Sequence, residues 1–237
     1  MDSGAELQAA LDWVSADASR ELEFRGADYV SSRQLVAHRA RCVGRSTIKF
    51  TTLNSSTDCL VLQGSSSFAS MSWEGININC NNVGRDGIAL VGGKSGSNAA
   101  DFYRLRGFRI VNAVRDGLHF EPGAATYWIE DFKVSDVRIE TPGRHGLTMI
   151  VPAFTSTFIN QGTFDNLEIR GAGRTTAGVD VYCDSQGSTS AQKISELTFI
   201  GCEFDAAGGV NHEQACISLN MTGLASAYDG WVFIGIS

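Results

Sequence analysis

Gly107-Phe108-Arg109-Ile110, Asp136-Val137-Arg138-Ile139 and Asn166-Leu167-Glu168-Ile169 each set a turn-forming residue before an apolar, variable, apolar triplet, at spacings of 29 and 30 residues. Working outward, the same phrase recurs as Thr47-Ile48-Lys49-Phe50, Gly75-Ile76-Asn77-Ile78, Gly201-Cys202-Glu203-Phe204 and Gly230-Trp231-Val232-Phe233. A second series keeps step with the first. It reads Cys59-Leu60-Val61-Leu62, Gly87-Ile88-Ala89-Leu90, Gly117-Leu118-His119-Phe120, Gly146-Leu147-Thr148-Met149, Gly178-Val179-Asp180-Val181 and Cys216-Ile217-Ser218-Leu219. A third apolar stretch precedes the first series at Met71/Trp73, Tyr103/Leu105, Phe132/Val134, Phe164 and Leu197/Phe199.

Alternation with a period of two is the mark of a strand with one buried face. Three short strands per turn of about 30 residues, with no helical periodicity between them, describe a coil that returns to the same azimuth each turn. The sequence therefore predicts an all-β fold, a parallel β-helix of about seven coils over 21–237. Like residues then stack in columns about 4.8 Å apart along the axis. The glycine column at 87, 117, 146 and 178 is expected to supply backbone with positive φ at a corner. The longest inserts, 184–192 and 206–214, are expected to project outward.

The first twenty residues read differently. Leu7, Leu11 and Val14 lie on one face of a short helix, with Ser3 as its cap, and such a helix would cover the open end of the solenoid. At the other end Trp231 to Ile234 still reads as a core strand. The expectation is a fragment, or an end covered by another subunit.

Composition excludes some classes of function. The chain has 237 residues, 43% hydrophobic, with 26 glycines and a net charge of −7 from 19 basic and 26 acidic side chains. An acidic chain argues against nonspecific binding to nucleic acid or anionic membrane, and no apolar run is long enough to span a bilayer. Six cysteines without CxxC spacing predict buried free thiols, with no metal and no cofactor. No secretory signal precedes the helix, so synthesis in a cytoplasm is expected.

Ala9-Ala10-Leu11-Asp12, then Phe24-Arg25-Gly26-Ala27-Asp28-Tyr29-Val30 and Cys42-Val43-Gly44-Arg45-Ser46-Thr47-Ile48, resemble the opening of pectin-lyase-like right-handed β-helices, especially bacteriophage tailspikes and tail-fibre depolymerases. The resemblance covers nearly the whole chain, as a pattern. It implies a right-handed, homotrimeric, virion-borne protein that works with other tail proteins. Such a protein binds, and often cleaves, a bacterial surface polysaccharide. Arg144-His145-Gly146 matches the Gly-His-Gly step of polygalacturonases only in part, and the paired aspartates are out of register, so that site does not carry over.

Candidate site residues follow from the columns. Asp101 and Glu130 are expected to face outward on adjacent cycles, where two carboxyl groups suit a retaining or inverting glycosidase; Asp131 would be a second partner. The alternative is a pair of solvated corner residues. Tyr127 and Trp128 offer an apolar platform for a sugar ring. His119 is expected outward as a general base, with Asp180 as a remote acid, or both as plain surface positions. Arg109 and Arg138 share an outward column in a stretch, 81–150, with nine basic and eight acidic residues, which an acidic polysaccharide would prefer. The stacked Thr57, Arg85, Arg115, Arg144 and Asp58, Asp86, Asp116, His145 columns read as a mutually neutralising structural ladder.

Overall fold

In the computed structural model the phrase at 136–139 lies between its neighbours one coil away on each side. Arg109 pairs with Arg138, Ile110 with Ile139, Val137 with Leu167 and Arg138 with Glu168, all in parallel register. The structure describes residues 2–17, 19–64, 69–94, 101–123, 127–153, 157–186, 193–205, 211, 215–221 and 227–237; of 69, 70, 93, 94, 101, 102, 193, 221 and 227 it describes the backbone alone.

Two sheets wind along the axis. The smaller has seven strands and carries the second series, from Leu35–His38 through Leu60–Gln63, Ile88–Val91, Leu118–Phe120, Leu147–Val151 and Val181–Ser185 to Ile217–Met221, every pairing parallel. The larger has fourteen strands and carries the other two series. Its one antiparallel pairing among the described residues joins Tyr127–Glu130 to Gly93–Lys94. The chain is an all-β parallel β-helix solenoid with one short N-terminal helix. Ile76, Phe108, Val137 and Leu167 are all buried in its interior. Each such side chain contributes roughly 1.5–3 kcal/mol by leaving water. Phe164, Phe199 and Phe233 continue the column above Val134, with ring centroids 4.7 and 5.1 Å apart and nearly parallel planes.

The sequence predicts three separate strands per coil, but several coils run two of them together as one bent strand: Arg41–Phe50, Ala69–Asn79 and Phe158–Arg170. The bend is a single left-handed residue, Gly75, Gly107, Asp136, Asn166 or Gly201, with φ between 53° and 74°. One residue of that conformation turns the chain, and pairing resumes directly beyond it.

The glycines at 87, 117, 146 and 178 do not have positive φ. Gly87, Gly117 and Gly146 are glycine because the interior is narrow there, and a Cβ on Gly178 would meet the Arg144 backbone. A Cβ on Gly117 would lie 2.2 Å from Ile139 Cγ2 and 2.9 Å from the Gly146 carbonyl oxygen, and one on Gly146 would lie 2.2 Å from Ile169 Cγ2.

Three stretches sit in a different register from the alternation. Ile48 pairs with Ile78 rather than Ile76, and a bulge between Val43 and Ser46 separately shifts the ladder by one residue. Leu147 pairs with Val181 and Thr148 with Tyr182, so Asp180 falls in the glycine column, not beside Thr148. Near the last turn Phe199 pairs with Phe233 and Ile200 with Ile234, which places Gly235 rather than Gly230 beside Gly201. A period of two cannot distinguish the two-residue shifts of the first two stretches; the third, five residues, sets Val232 to Ile234 against Thr198 to Ile200, ahead of the bend at Gly201.

Helix α1, Gly4–Ser15, buries Leu7, Leu11 and Val14 against the first coil as expected. Ser3 does not cap it through its side chain; the Gly4 amide instead donates to Asp2 Oδ1 at 2.9 Å. The insert expected from 184 begins as strand, with Asp184 and Ser185 buried and paired to Ile150 and Val151; most of both inserts lies outside the described residues. Cys42, Cys59, Cys80, Cys183 and Cys202 are buried free thiols and Cys216 is half-buried. Burial pushes the Cys42 thiol up to about 12, leaving it unreactive at neutral pH.

Candidate functional site

Two outward columns of the larger sheet define a cleft. The first stacks Arg41, Ser72, Arg104 and Lys133 on successive coils, a climb of three ladder steps or about 14 Å. The second, two residues along each strand, stacks Val43, Glu74, Arg106, Ser135 and Asp165. Between them lies an open cleft of about 700 Å³, lined also by Glu21 and Asp136. It continues into a second hollow of about 510 Å³ past Glu74 and Arg106 toward Asp28, Arg45 and Asn77.

Alternation is what exposes these groups: Trp73 and Leu105, between them along the strands, point inward and are buried. Arg104 and Lys133 are like charges directly opposite across a ladder, which is destabilising unless something compensates. Lys133 has Asp165 at 3.1 Å, Arg41 has Glu21 at 3.6 Å, and Arg106 has Glu74 and Asp136 at 3.8 and 3.9 Å. Of the cleft's four cations, Arg104 alone has no carboxylate within 4 Å among the described residues. Its Nη1 donates to two backbone carbonyls, Asp131 O at 3.1 Å and Tyr103 O at 3.3 Å. The guanidinium is thus oriented but not neutralised.

The expected site residues scatter around this cleft. Arg109 and Arg138 do share a column, but both ion-pair with Glu140, and Arg138 also has Glu168 at 3.3 Å. Arg170 continues the chain of pairs from Glu168 to Glu203. That column is self-neutralised. Glu130 pairs in register with Asn160, and Asn160 with Ser195. Asp101 begins the strand Asp101–Arg106 opposite Ala69; its side chain lies outside the described residues. Asp131 has left-handed backbone, φ 52°, and forms the bend between Tyr127–Glu130 and Lys133–Glu140. Tyr127 and Trp128 are half-buried, and Trp128 stacks on Phe158 at 4.7 Å with an interplanar angle of 22°.

His119 and Asp180 are not surface residues. His119 is 3% exposed and Asp180 is fully buried, so neither presents atoms to a polymer on the outer face. Sequence alternation marks them as outward from the core, which is correct for His119, but a layer of charged side chains covers that face. Arg85 forks onto Asp58 at 2.8 and 2.9 Å, Arg115 onto Asp86, and Arg144 onto Asp116, each reaching back one coil. This is the neutralising ladder expected from the two columns, with His119 set into it.

Burial acts on the His119 ring toward neutrality, but the hydrogen bonds it donates to the Asp116 and Glu121 carboxylates outweigh it and raise its pKa to about 9. His145, with its ring stacked on Tyr182 at 4.5 Å, is pushed down to about 4 by burial. Asp86, Asp116 and His119 are close enough together to suggest a cation site. Their oxygens, however, already receive Arg115, Arg144 and the amides of Asp116 and His145, so guanidinium groups hold the place a metal would take.

Sequence reasoning missed the Arg41–Ser72–Arg104–Lys133 column. The signal was present, since Arg104 stands two residues after Tyr103's neighbour Phe102 and Lys133 directly follows Phe132, both beside core positions of the third stretch. Comparison with family models, with curated proteins and with solved structures finds no match to this chain, so function has to be argued from the β-helix and its cleft.

Proposed function

We propose that this chain is a bacteriophage tailspike or tail-fibre-like protein that binds a host cell-surface polysaccharide, with the polymer lying along the axis in the cleft of Arg41, Glu74, Arg104, Arg106 and Lys133. The observation that carries this reading is Arg104, an oriented cation with no carboxylate within 4 Å among the described residues, in a cleft that runs across successive coils. A solenoid presents equivalent groups at equal intervals, which suits a ligand that is itself extended and periodic. Arg pairs carboxylates bidentately, and flanking Glu74, Asp136 and Asp165 accept hydrogen bonds from sugar hydroxyls. Exposed Leu219, Val232, Phe233 and Ile234 support an assembled form, proposed as a homotrimer joined to other virion tail proteins.

A glycan array including acidic and neutral bacterial polysaccharides tests the reading. Retention of an acidic polymer that is lost when its carboxyl groups are reduced supports it. A protein that retains no glycan is a purely structural spike.

A second reading is an active depolymerase, a glycoside hydrolase or lyase. What favours it is Glu130, two residues along the strand from Trp128, on the same face and beside the Trp128–Phe158 stack. A reducing-end assay and an ultraviolet assay for unsaturated ends decide the matter. Loss of cleavage in Asp101→Asn and Glu130→Gln places the chemistry there; full activity in both removes it.

A further inference from the structure

The charged layer over the smaller sheet holds four carboxylates, Asp58, Asp86, Asp116 and Glu121, against three guanidiniums, Arg85, Arg115 and Arg144. The three aspartates are buried, where an uncompensated charge is strongly unfavourable. His119 sits at the centre. Its Nδ1 is 3.2 Å from Asp116 Oδ2 and 3.7 Å from Asp86 Oδ2, and its Nε2 is 2.8 Å from Glu121 Oε2. From the preceding coil it faces Asp86, and behind it Arg85; from its own coil Arg115, Asp116 and Glu121; from the following coil Arg144, across Asp116, and the neutral ring of His145.

A carboxylate only accepts hydrogen bonds, and a neutral imidazole has one N–H. A neutral Nε2–H ring would satisfy Glu121 and take Arg115 Nη2, 3.3 Å from Nδ1. It would also leave Asp116 facing a lone pair and the layer, with half-buried Glu121 counted, one negative charge in excess. The doubly protonated ring donates to both carboxylates and closes the charge balance.

We propose that His119 is a proton lock: as an imidazolium it ties Asp116 to Glu121 and neutralises the layer joining four consecutive coils, and loss of that proton releases the layer. The raised pKa of the ring agrees with the geometry. Because the folded value, about 9, lies above the ordinary 6.5, the lock's contribution is full below about pH 6.5. It declines as pH rises and is gone once pH passes about 9.

Nitrogen NMR of the four histidine rings in the intact wild-type protein tests this directly. The expected spectrum in mildly alkaline buffer shows the His119 ring with both nitrogens protonated; a spectrum with no cationic ring there overturns the proposal. Thermal melting supplies the second measurement. Wild type should melt several degrees above His119→Gln in mild acid, with a margin that shrinks from about pH 6.5 and levels off near 9. A margin independent of pH overturns the lock even if the variant is less stable throughout.

Discussion

Asp116 shows how much a single side chain can carry in this fold. It accepts from Arg144 Nε at 2.8 Å, from the His145 amide at 3.2 Å and from His119 Nδ1 at 3.2 Å, with no exposed surface. Burial alone would raise its pKa, but Arg144 and His119 hold it well below the usual carboxylate range. Its contribution is therefore present above the unfolded value of 3.8 and fades only as pH falls below it, so the layer persists in mild acid. Asp116→Asn keeps the shape and removes the charge, leaving Arg144 without its counter-ion and His119 with only Glu121 and Asp86. The expected loss is about 3–5 kcal/mol in urea unfolding; less than ~1 kcal/mol would show that water already screens the group. Gly117→Ala tests the narrow interior in the same assay. Its Cβ would meet Ile139 Cγ2 at 2.2 Å, and an overpacking loss of about 1–3 kcal/mol follows.

At the scale of the strand, the bends decide which side chains face the cleft. Asn166 takes φ 56° and its Nδ2 donates to Asp136 Oδ1 at 2.9 Å, so the two bends on adjacent coils are tied together. Asn166→Val should cost about 1–2 kcal/mol from the left-handed backbone alone, whereas Asn166→Gly relieves that strain and loses only the exposed hydrogen bond. Equal melting temperatures for the two variants would show that the bend does not need that conformation. Strand existence was legible in the sequence because burial on one face imposes a period of two. Register was less legible, for the same reason. Thr148 lies beside Tyr182 rather than Asp180, and a shift by two leaves every apolar residue on the correct face. The bulge between Val43 and Ser46 carries no signal in the apolar pattern at all.

For the whole molecule, the cleft and the neutralised column make different demands on a ligand. Arg104→Gln should weaken binding of an acidic polysaccharide about tenfold, since one charge-assisted hydrogen bond is worth about 1.5–3 kcal/mol. Arg138→Gln should change it little, because Glu140 and Glu168 already engage that guanidinium. Binding measured by titration at low and high salt should weaken as salt is added. Equal effects of the two substitutions would move the binding face away from the cleft. Light scattering on the intact chain should report three subunits; a stable monomer would set aside the proposed trimer.

The sequence alone determined the solenoid, because a repeating apolar face has to be buried at every turn and only a coil returning to the same azimuth does so. It also determined the pairing of the arginine and aspartate columns, since opposite charges about thirty residues apart become axial neighbours in any such coil. Tertiary structure decided the rest. Whether an outward residue meets solvent depends on what covers it, so His119 lies beneath a charged layer while Arg104 stands in an open cleft. Alternation records which side of a strand a residue takes, and nothing about what lies over it.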